Sequence, residues 1–230
     1  MNAYSFSLGN AIFHALGSGA LHWPVERMLI VSDLHFGKPD RIARRGGTLL
    51  PPYANHDTLL RLEAEIENVN AKTVVCLGDS FDDLQASEDL IEDERLWLIR
   101  LMAGRQWVWI SGNHDPSPAT IGGTHLAHLS RNGVSFRHIA STTARVEISG
   151  HYHPKARLIQ QRPCFLIDSA RVIMPAFGTY TGGLAADAPV LRALMLPNAR
   201  AVLTGAKVVV MPFRGVRSGP IAQSLSDSSG

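Results

Sequence analysis

The segment Leu29-Ile-Val-Ser-Asp33-Leu-His35-Phe-Gly37-Lys38 decides the fold. Its first half is an apolar run typical of a buried β-strand, and Asp33 and His35 follow with one residue between them. In an extended strand end, side chains at positions i and i+2 point the same way. We therefore expect a carboxylate and an imidazole to project together from the C-terminal edge of a buried strand, which is half of a metal site.

Three later segments repeat this design, in which a short hydrophobic strand is followed by glycine and then by Asp, Asn or His. Their polar ends are Gly78-Asp79-Ser-Phe-Asp82-Asp83, Gly112-Asn113-His114-Asp115 and Gly150-His151-Tyr-His153-Pro154. Glycine allows a sharp turn and lets the next side chains approach a common centre. In open α/β sheets such strand ends gather at one edge, where ligands bind. The four segments together predict one polar site rich in oxygen and nitrogen ligands.

The composition predicts a soluble globular protein. The chain has 230 residues, of which 45% are hydrophobic and 18% charged, and this length suits one domain with a sizeable core. We expect that domain to span residues 1–213, and residues 214–230, which contain little apolar sequence, to form a disordered tail. Apolar runs are too short for a membrane span, and the first residues lack the pattern of a signal peptide, so we expect a cytoplasmic protein.

Hydrophobic periodicity predicts a βαβα half followed by a strand-rich half. The first half contains a hairpin region at 4–23, strands at 27–32, 73–77 and 107–110, helices at 55–69 and 84–103, and a loop with a short helix at 116–132. The second half contains strands at 134–137, 145–149, 157–160, 164–167, 172–174, 201–203 and 207–211. This order predicts an α/β (α+β) protein, a four-layer αββα sandwich of two mixed sheets flanked by helices.

The order of the polar motifs resembles the calcineurin-like metallophosphoesterase superfamily. A closer resemblance, to the bacterial ligase-associated DNA-damage-response endonuclease, covers about residues 19–213. Its motifs are the opening segment, Leu50-Pro-Pro-Tyr53, Phe136-Arg-His138, Gly150-His-Tyr-His-Pro154 and Pro175-Ala-Phe-Gly-Thr-Tyr-Thr-Gly-Gly183. The resemblance implies the metallophosphoesterase fold and metal-dependent hydrolysis of phosphodiesters, with DNA, in single strands, as the substrate.

The same resemblance implies seven ligands for two divalent metal ions. The first metal would be held by Asp33, His35 and His153, the second by Asn113, His138 and His151, and Asp79 would bridge them. Such ions clamp the attacking and leaving oxygens of a phosphoryl transfer. Nitrogen and oxygen ligands without thiolate suit Mn²⁺, Fe or Zn²⁺ better than Ca²⁺, and the resemblance favours Mn²⁺.

Two residues would support catalysis beside the metals. The resemblance implies that His114 donates a proton to the leaving alkoxide, or stabilises the transition state, and that Asp82 orients His114. The nucleophile would then be a hydroxide that bridges the two metals, because bound cations lower the pKa of water. On this reading no protein side chain needs to attack the phosphorus.

Three assignments stay open on the sequence alone. His125 and His128, on the predicted helix before His138, are alternative ligands for the second metal. Tyr180 either lines the site or belongs to a structural turn. The basic segment after the first motif either contacts substrate phosphates or is a solvated loop, and its cations are Lys38, Arg41, Arg44 and Arg45.

The predicted function is therefore that of a metal-dependent phosphodiesterase, a DNA endonuclease in DNA repair. The family name implies an association with a DNA ligase and a helicase, and the oligomeric state stays open. One alternative is a phosphomonoesterase or nucleotide hydrolase that acts on small molecules. Another is a metal-binding scaffold with little catalysis of its own, but a scaffold would not need a proton donor such as His114 or its partner Asp82.

Overall fold

A computed structural model describes residues 2–37, 53–82, 90–113, 121–143 and 145–213. Several predictions concern residues outside these ranges. They are the basic segment with Lys38, Arg41, Arg44 and Arg45, the proton donor His114, and the tail at 214–230. The extent of the domain, residues 1–213, stays a prediction.

The first sheet has seven strands whose order in space follows their order in the chain. They are β1 (Ala3–Leu8), β2 (Ala11–Leu16), β3 (Leu21–Trp23), β4 (Met28–Val31), β5 (Thr73–Cys76), β6 (Gln106–Ile110) and β7 (Thr124–Leu126). Strands β1 to β4 are antiparallel neighbours, and β4 to β7 are parallel. Helix α1 (Ala54–Asn68) lies between β4 and β5 in sequence, and α2 (Glu92–Met102) between β5 and β6. Parallel strands bring their C-terminal ends to one edge.

The second sheet has eight strands, with β11 paired only to β12 and the others in the order β15-β14-β12-β13-β10-β9-β8. Its central strands β9, β10 and β13 are parallel, and their neighbours are antiparallel. The strands are β8 (Leu129–Arg131), β9 (Val134–Arg137), β10 (Glu147–Ser149), β11 (Lys155–Arg157), β12 (Gln161–Ile167), β13 (Arg171–Ile173), β14 (Arg200–Leu203) and β15 (Val209–Pro212).

Three hydrophobic clusters separate four layers. One joins α1 and α2 to the first sheet, a second lies between the two sheets, and a third joins the second sheet to helix α3 (Pro189–Leu194). Strand β4 lies between two of these clusters, since Leu29 packs in the first cluster and Ile30 in the second. A strand covered on both faces has no polar face. The predicted four-layer αββα sandwich is confirmed, with α3 as an element that periodicity did not predict.

Two local predictions are wrong. The short helix expected at 116–132 is absent from its described part, where β7 and β8 lie instead; Gly122 and Gly123 have φ of +95° and +88°, which a helix excludes, and β7 pairs with β6. Of the strand expected at 157–160, only Arg157 is in a strand, as the last residue of β11, and residues 158–160 connect β11 to β12. Among the helices of the described ranges, none has the length and hydropathy that a membrane crossing requires.

Candidate metal centre

The polar motifs meet at the C-terminal edge of the parallel strands. Segments 32–37, 77–82 and 111–113 follow β4, β5 and β6, and His138 and Gly150 follow the parallel strands β9 and β10 of the second sheet. Backbone hydrogen bonds tie the segments together, from Asp33 N to Gly78 O at 3.2 Å and from His35 N to Asp79 O at 3.0 Å. The fold thus places ligands from both sheets around one centre.

The first group of side chains consists of Asp33, His35 and His153, with one candidate ligand atom from each within 4.8 Å of the others. Asp33 Oδ1 lies 3.0 Å from His153 Nε2, and both atoms are buried. The imidazole rings of His35 and His153 are 5.3 Å apart. These three residues are the ones predicted for the first metal.

Neighbouring groups select which atoms of the first group face its centre. Asp82 Oδ1 lies 2.9 Å from His35 Nδ1, and because a carboxylate accepts a hydrogen bond from Nδ1–H, His35 Nε2 remains as the ligand atom. The Ser32 hydroxyl and the His151 backbone N–H both donate to Asp33 Oδ2, which leaves Asp33 Oδ1 for the centre. The sequence did not indicate the contact of Asp82 with His35 or that of Ser32 with Asp33.

The second group consists of Asp79, His138 and His151, with Asn113 beside them. His138 Nε2 lies 2.8 Å from Asn113 Oδ1, 3.1 Å from His151 Nδ1 and 3.3 Å from Asp79 Oδ2. On the other side of the ring, His138 Nδ1 lies 2.8 Å from the Leu77 carbonyl oxygen. Because a carbonyl only accepts, Nδ1 carries the proton and Nε2 offers its lone pair to the centre.

The backbone at these positions departs from what the sequence reasoning assumed. Instead of extended strand ends, five candidate ligands have left-handed backbone: Asp33 (φ 54°), His35 (φ 50°), Asp79 (φ 46°), His151 (φ 70°) and His153 (φ 46°). The expectation that Asp33 and His35 converge through an i, i+2 strand geometry is therefore wrong, although the side chains do converge. This conformation costs each residue that has a Cβ about 1–2 kcal/mol, and residues with such strained backbone are found mainly at functional sites.

Two glycines make room for the converging side chains. A Cβ at Gly78, where φ is +80°, would lie 2.6 Å from His138 Cγ. A Cβ at Gly150 would overlap the Ser32 hydroxyl and approach Asp33 Oδ2 within 2.6 Å. The glycines of the strand–Gly–ligand pattern therefore serve close packing of one segment against another, as well as the turn.

Charge is concentrated in both groups. Burial alone would raise the pKa of the Asp33 carboxyl, but the imidazoles of His153 and His138 outweigh it and hold this pKa below its ordinary value. Burial alone would lower the pKa of His138, but Asp79 and Asp33 outweigh it and raise this pKa. For His151, burial and the neighbouring His138 lower the pKa. The imidazoles thus stabilise the charged form of Asp33, and the carboxylates stabilise the protonated form of His138.

The donor set fits divalent cations. Within the described residues, Asp33 Oδ1 and His153 Nε2 have each other and no further hydrogen-bond partner, although both are buried. In the second group, two imidazole nitrogens, one carboxylate oxygen and one amide oxygen point at one spot. Nitrogen and oxygen atoms converging in this way match the preferences of Mn²⁺, Fe and Zn²⁺.

The other candidate histidines lie outside both groups. His125 is on β7 and its ring lies 6.4 Å from that of Trp109, while His128 lines a cavity of about 300 Å³ beside the second group. This cavity is formed by Ser111, Gly112, Asn113, Ala127, His128, Arg137, His138 and Ile139. Arg137, which the sequence reasoning did not select, points its guanidinium toward buried Glu147, with Nε 3.2 Å from Oε2. The last predicted site residue, Tyr180, is exposed.

Comparison with known proteins agrees with this geometry. The family model for calcineurin-like phosphoesterases matches residues 26–162. A crystal structure of the nuclease MPE from Pseudomonas putida, 24% identical, superimposes over 91% of this chain and 100% of that chain with a TM-score of 0.73, and shows the same fold. A search of curated proteins finds no match. The chain therefore belongs to the calcineurin-like phosphoesterase family and is a metal-dependent phosphoesterase.

Proposed function

We propose that this chain is a phosphodiesterase that works with two divalent cations, Mn²⁺ before Fe or Zn²⁺, and cuts DNA strands as an endonuclease. The observation that carries the proposal is the pair of adjacent ligand groups at one sheet edge. His138 Nδ1 of the second group lies only 3.8 Å from Asp33 Oδ1 of the first. Such adjacency is what a two-metal clamp on one phosphate requires.

In this proposal each group holds one cation. Asp33, His35 and His153 would hold the first, and Asn113, His138 and His151 would hold the second. Asp79 would serve both, because its carboxylate belongs to the second group and its carbonyl oxygen accepts a hydrogen bond from His35 N of the first. When bound, the cations would lower the pKa of water and neutralise charge on the phosphoryl oxygens.

The protein contributes a proton for the leaving group. His114 follows Asn113 directly in the chain, and we assign it this role although it lies outside the described residues. The predicted role of Asp82, to orient His114, stays part of the proposal, and its contact with His35 adds support of a candidate ligand. Water is the nucleophile. The Cys164 thiol is buried, and burial raises its pKa to about 12, so it stays protonated at neutral pH.

DNA as the substrate is the finer part of the proposal. It is supported by the fold shared with a protein described as a nuclease, and by the basic segment with Lys38, Arg41, Arg44 and Arg45, which follows the first motif. A nuclease must hold phosphates on both sides of the one it cuts. A role in DNA repair, an association with a DNA ligase and a helicase, and a cytoplasmic location belong to the same proposal.

The test is incubation of the Mn²⁺-loaded protein with circular single-stranded DNA. An endonuclease converts circles to linear molecules, whereas an exonuclease or a phosphomonoesterase leaves them intact. The Asp79→Ala variant serves as the control, because it removes the proposed bridge. Intact circles, together with rapid hydrolysis of an aryl phosphate monoester, would replace this proposal by that of a small-molecule phosphatase.

A further inference from the structure

Two tyrosines stand out on the surface. Among the Phe, Trp and Tyr side chains of the described ranges, Tyr53 and Tyr180 are the only exposed ones, with 57% and 44% of their surface accessible. They contact each other, with ring centroids 6.2 Å apart at an angle of 61° and hydroxyl oxygens 3.1 Å apart. Exposed rings forgo the favourable free energy that burial of their apolar surface would give, which raises the question of what this pair binds.

Both tyrosines lie next to residues that are hydrogen-bonded to segments carrying candidate metal ligands, and we call this border of the site its rim. Tyr180 belongs to a loop, residues 177–184, whose first residues are bonded to the first ligand segment: Phe177 N donates to Ser32 O at 2.7 Å and Gly178 N to Asp33 O at 3.1 Å. The loop ends at Leu184, whose N donates to Tyr152 O, between His151 and His153 in sequence. Tyr180 is thus held between two ligand-bearing segments.

Tyr53 reaches the same rim from helix α1. It precedes the first residue of α1. Asn55, in the first turn of this helix, accepts a hydrogen bond from the Gly37 backbone N–H at 3.0 Å. Gly37 is two residues after the candidate ligand His35. The start of α1 is therefore attached to the first ligand segment, and the two tyrosines approach one rim from separate parts of the chain.

The residues on both sides of Tyr180 are hydrogen-bonded to other parts of the protein, and the backbone of Tyr180 is strained. Thr179 is bonded to α1 through Thr58 at 3.1 Å and Asp57 at 2.5 Å, and on the other side of Tyr180 the Lys155 ammonium donates to Thr181 O at 2.9 Å. Tyr180 itself has φ of 58°, a conformation that a bulky residue adopts rarely and at a cost. Thr179 and Thr181 are thus fixed by hydrogen bonds, while the ring of Tyr180 between them is exposed to solvent.

We infer that Tyr53 and Tyr180 form a stacking platform for an unpaired nucleobase of the substrate strand. The inference rests on the proposed function and deepens it. Every base has a π-face, so stacking on tyrosine tolerates any sequence. The bases of a duplex are already stacked on one another, so this platform favours single strands. It therefore supplies strand preference beside a metal centre that recognises only phosphate.

A structural role for the pair is the competing explanation. The hydroxyl–hydroxyl contact could simply attach the loop to α1. However, Thr179 already makes that attachment through Thr58 and Asp57, and Arg61 adds a bond to Thr179 at 3.0 Å. The two explanations separate cleanly, since a structural bond needs the hydroxyl groups and a stacking platform needs the rings.

The experiment measures binding of a short single-stranded phosphorothioate oligonucleotide, which resists cleavage, by fluorescence anisotropy in Mn²⁺. We expect Tyr180→Ala and Tyr53→Ala to bind about tenfold more weakly, and Tyr180→Phe and Tyr53→Phe to bind within about twofold of wild type. The Mn²⁺ content should be unchanged in all four, because neither tyrosine is among the candidate metal ligands. The matched control is Tyr4→Phe on β1, which removes a tyrosine hydroxyl that accepts a hydrogen bond from Arg200.

Two further measurements guard against a folding artefact. An oligonucleotide with abasic sites should bind wild type about tenfold more weakly and show no further loss with Tyr180→Ala. Tyr180→Gly removes the ring and the backbone strain together, so it should lose the same affinity at an unchanged melting temperature. Equal losses in the Phe and Ala variants, or losses independent of the bases, would overturn the platform. A wild type that binds no DNA overturns the proposed substrate as well.

Discussion

The two ligand groups at the sheet edge resemble each other in composition but differ in what holds them. Behind the first group lie polar and charged side chains, Asp82 against His35 and Ser32 against Asp33, all of them buried. Behind the second lies a neutral backbone carbonyl, that of Leu77, and beside it opens a cavity of about 300 Å³. The difference indicates that charged and polar side chains support the first group and a neutral backbone carbonyl supports the second, whereas burial is alike in the two groups.

The largest effect should come from breaking the second group. His138→Ala removes the imidazole on which three candidate ligand atoms converge, so we expect one metal ion per chain to be lost. Phosphodiester hydrolysis should fall by more than about a hundredfold, because residues that only support a ligand already cost up to about a hundredfold when they are changed. Metal analysis and kinetics measure both. His125→Ala and His128→Ala are the controls, and activity lost there but kept in His138→Ala would move the ligand.

A smaller effect should follow when the first group loses its charged support. Asp82→Asn keeps the shape but not the charge behind His35, and outer-shell changes of this kind cost roughly 10–100-fold in metal affinity. Calorimetric Mn²⁺ titration should show one of two binding steps weakened and the other unchanged. Asp187→Asn, on the surface, is the control. If neither step weakens, the carboxylate does not support the ligand.

A pair of glycine variants tests how closely the second group is packed. Gly78→Ala should destabilise the fold by roughly 2–4 kcal/mol, because a Cβ would meet His138 and the backbone is left-handed. Gly104→Ala has a similar φ of +71° but nothing within 4 Å, so it should cost only about 1 kcal/mol. Denaturant unfolding compares them. If both variants lost the same free energy of unfolding, His138 would have moved away from the new Cβ without a measurable cost.

The smallest effect concerns pH in the metal-free protein. The lowered pKa of Asp33 contributes stability above pH 3.8, its ordinary pKa, and the contribution is lost as the pH falls below that value. The raised pKa of His138 contributes stability below pH 6.5, and this is lost as the pH rises through the folded pKa. After chelation, the melting temperature should therefore drop as the pH rises above 6.5 in wild type but not in His138→Gln. A parallel drop in both would assign the effect elsewhere.

Much of the framework was predictable because each strand carries its own signal. Apolar runs such as Val74–Cys76 are buried on both faces, and in three of the four motifs a glycine after the run marks the turn that leads to ligands. Since parallel strands end at the same edge, their order was enough to place Asp33, Asp79 and Asn113 together. The same signals predicted the two sheets, whose shared core contains Phe136 and Phe165.

What sequence could not predict depends on contacts between distant segments. The left-handed backbone at Asp33 and His35 is imposed by bonds to Gly78 and Asp79, more than forty residues away in the chain. Strand β7 forms because β6 offers a free edge, which local periodicity around His125 does not reveal. The partner of Asp82 within the described residues, His35, was likewise invisible because it comes from another strand end.

The most direct measurement is anomalous diffraction at the manganese edge from crystals of the Mn²⁺-loaded protein. The account predicts two peaks about 3.5–4 Å apart. One would contact Asp33, His35 and His153, the other Asn113, His138 and His151, and both would contact Asp79. A single peak, or a second peak bound to His125 or His128, would contradict the two-metal centre.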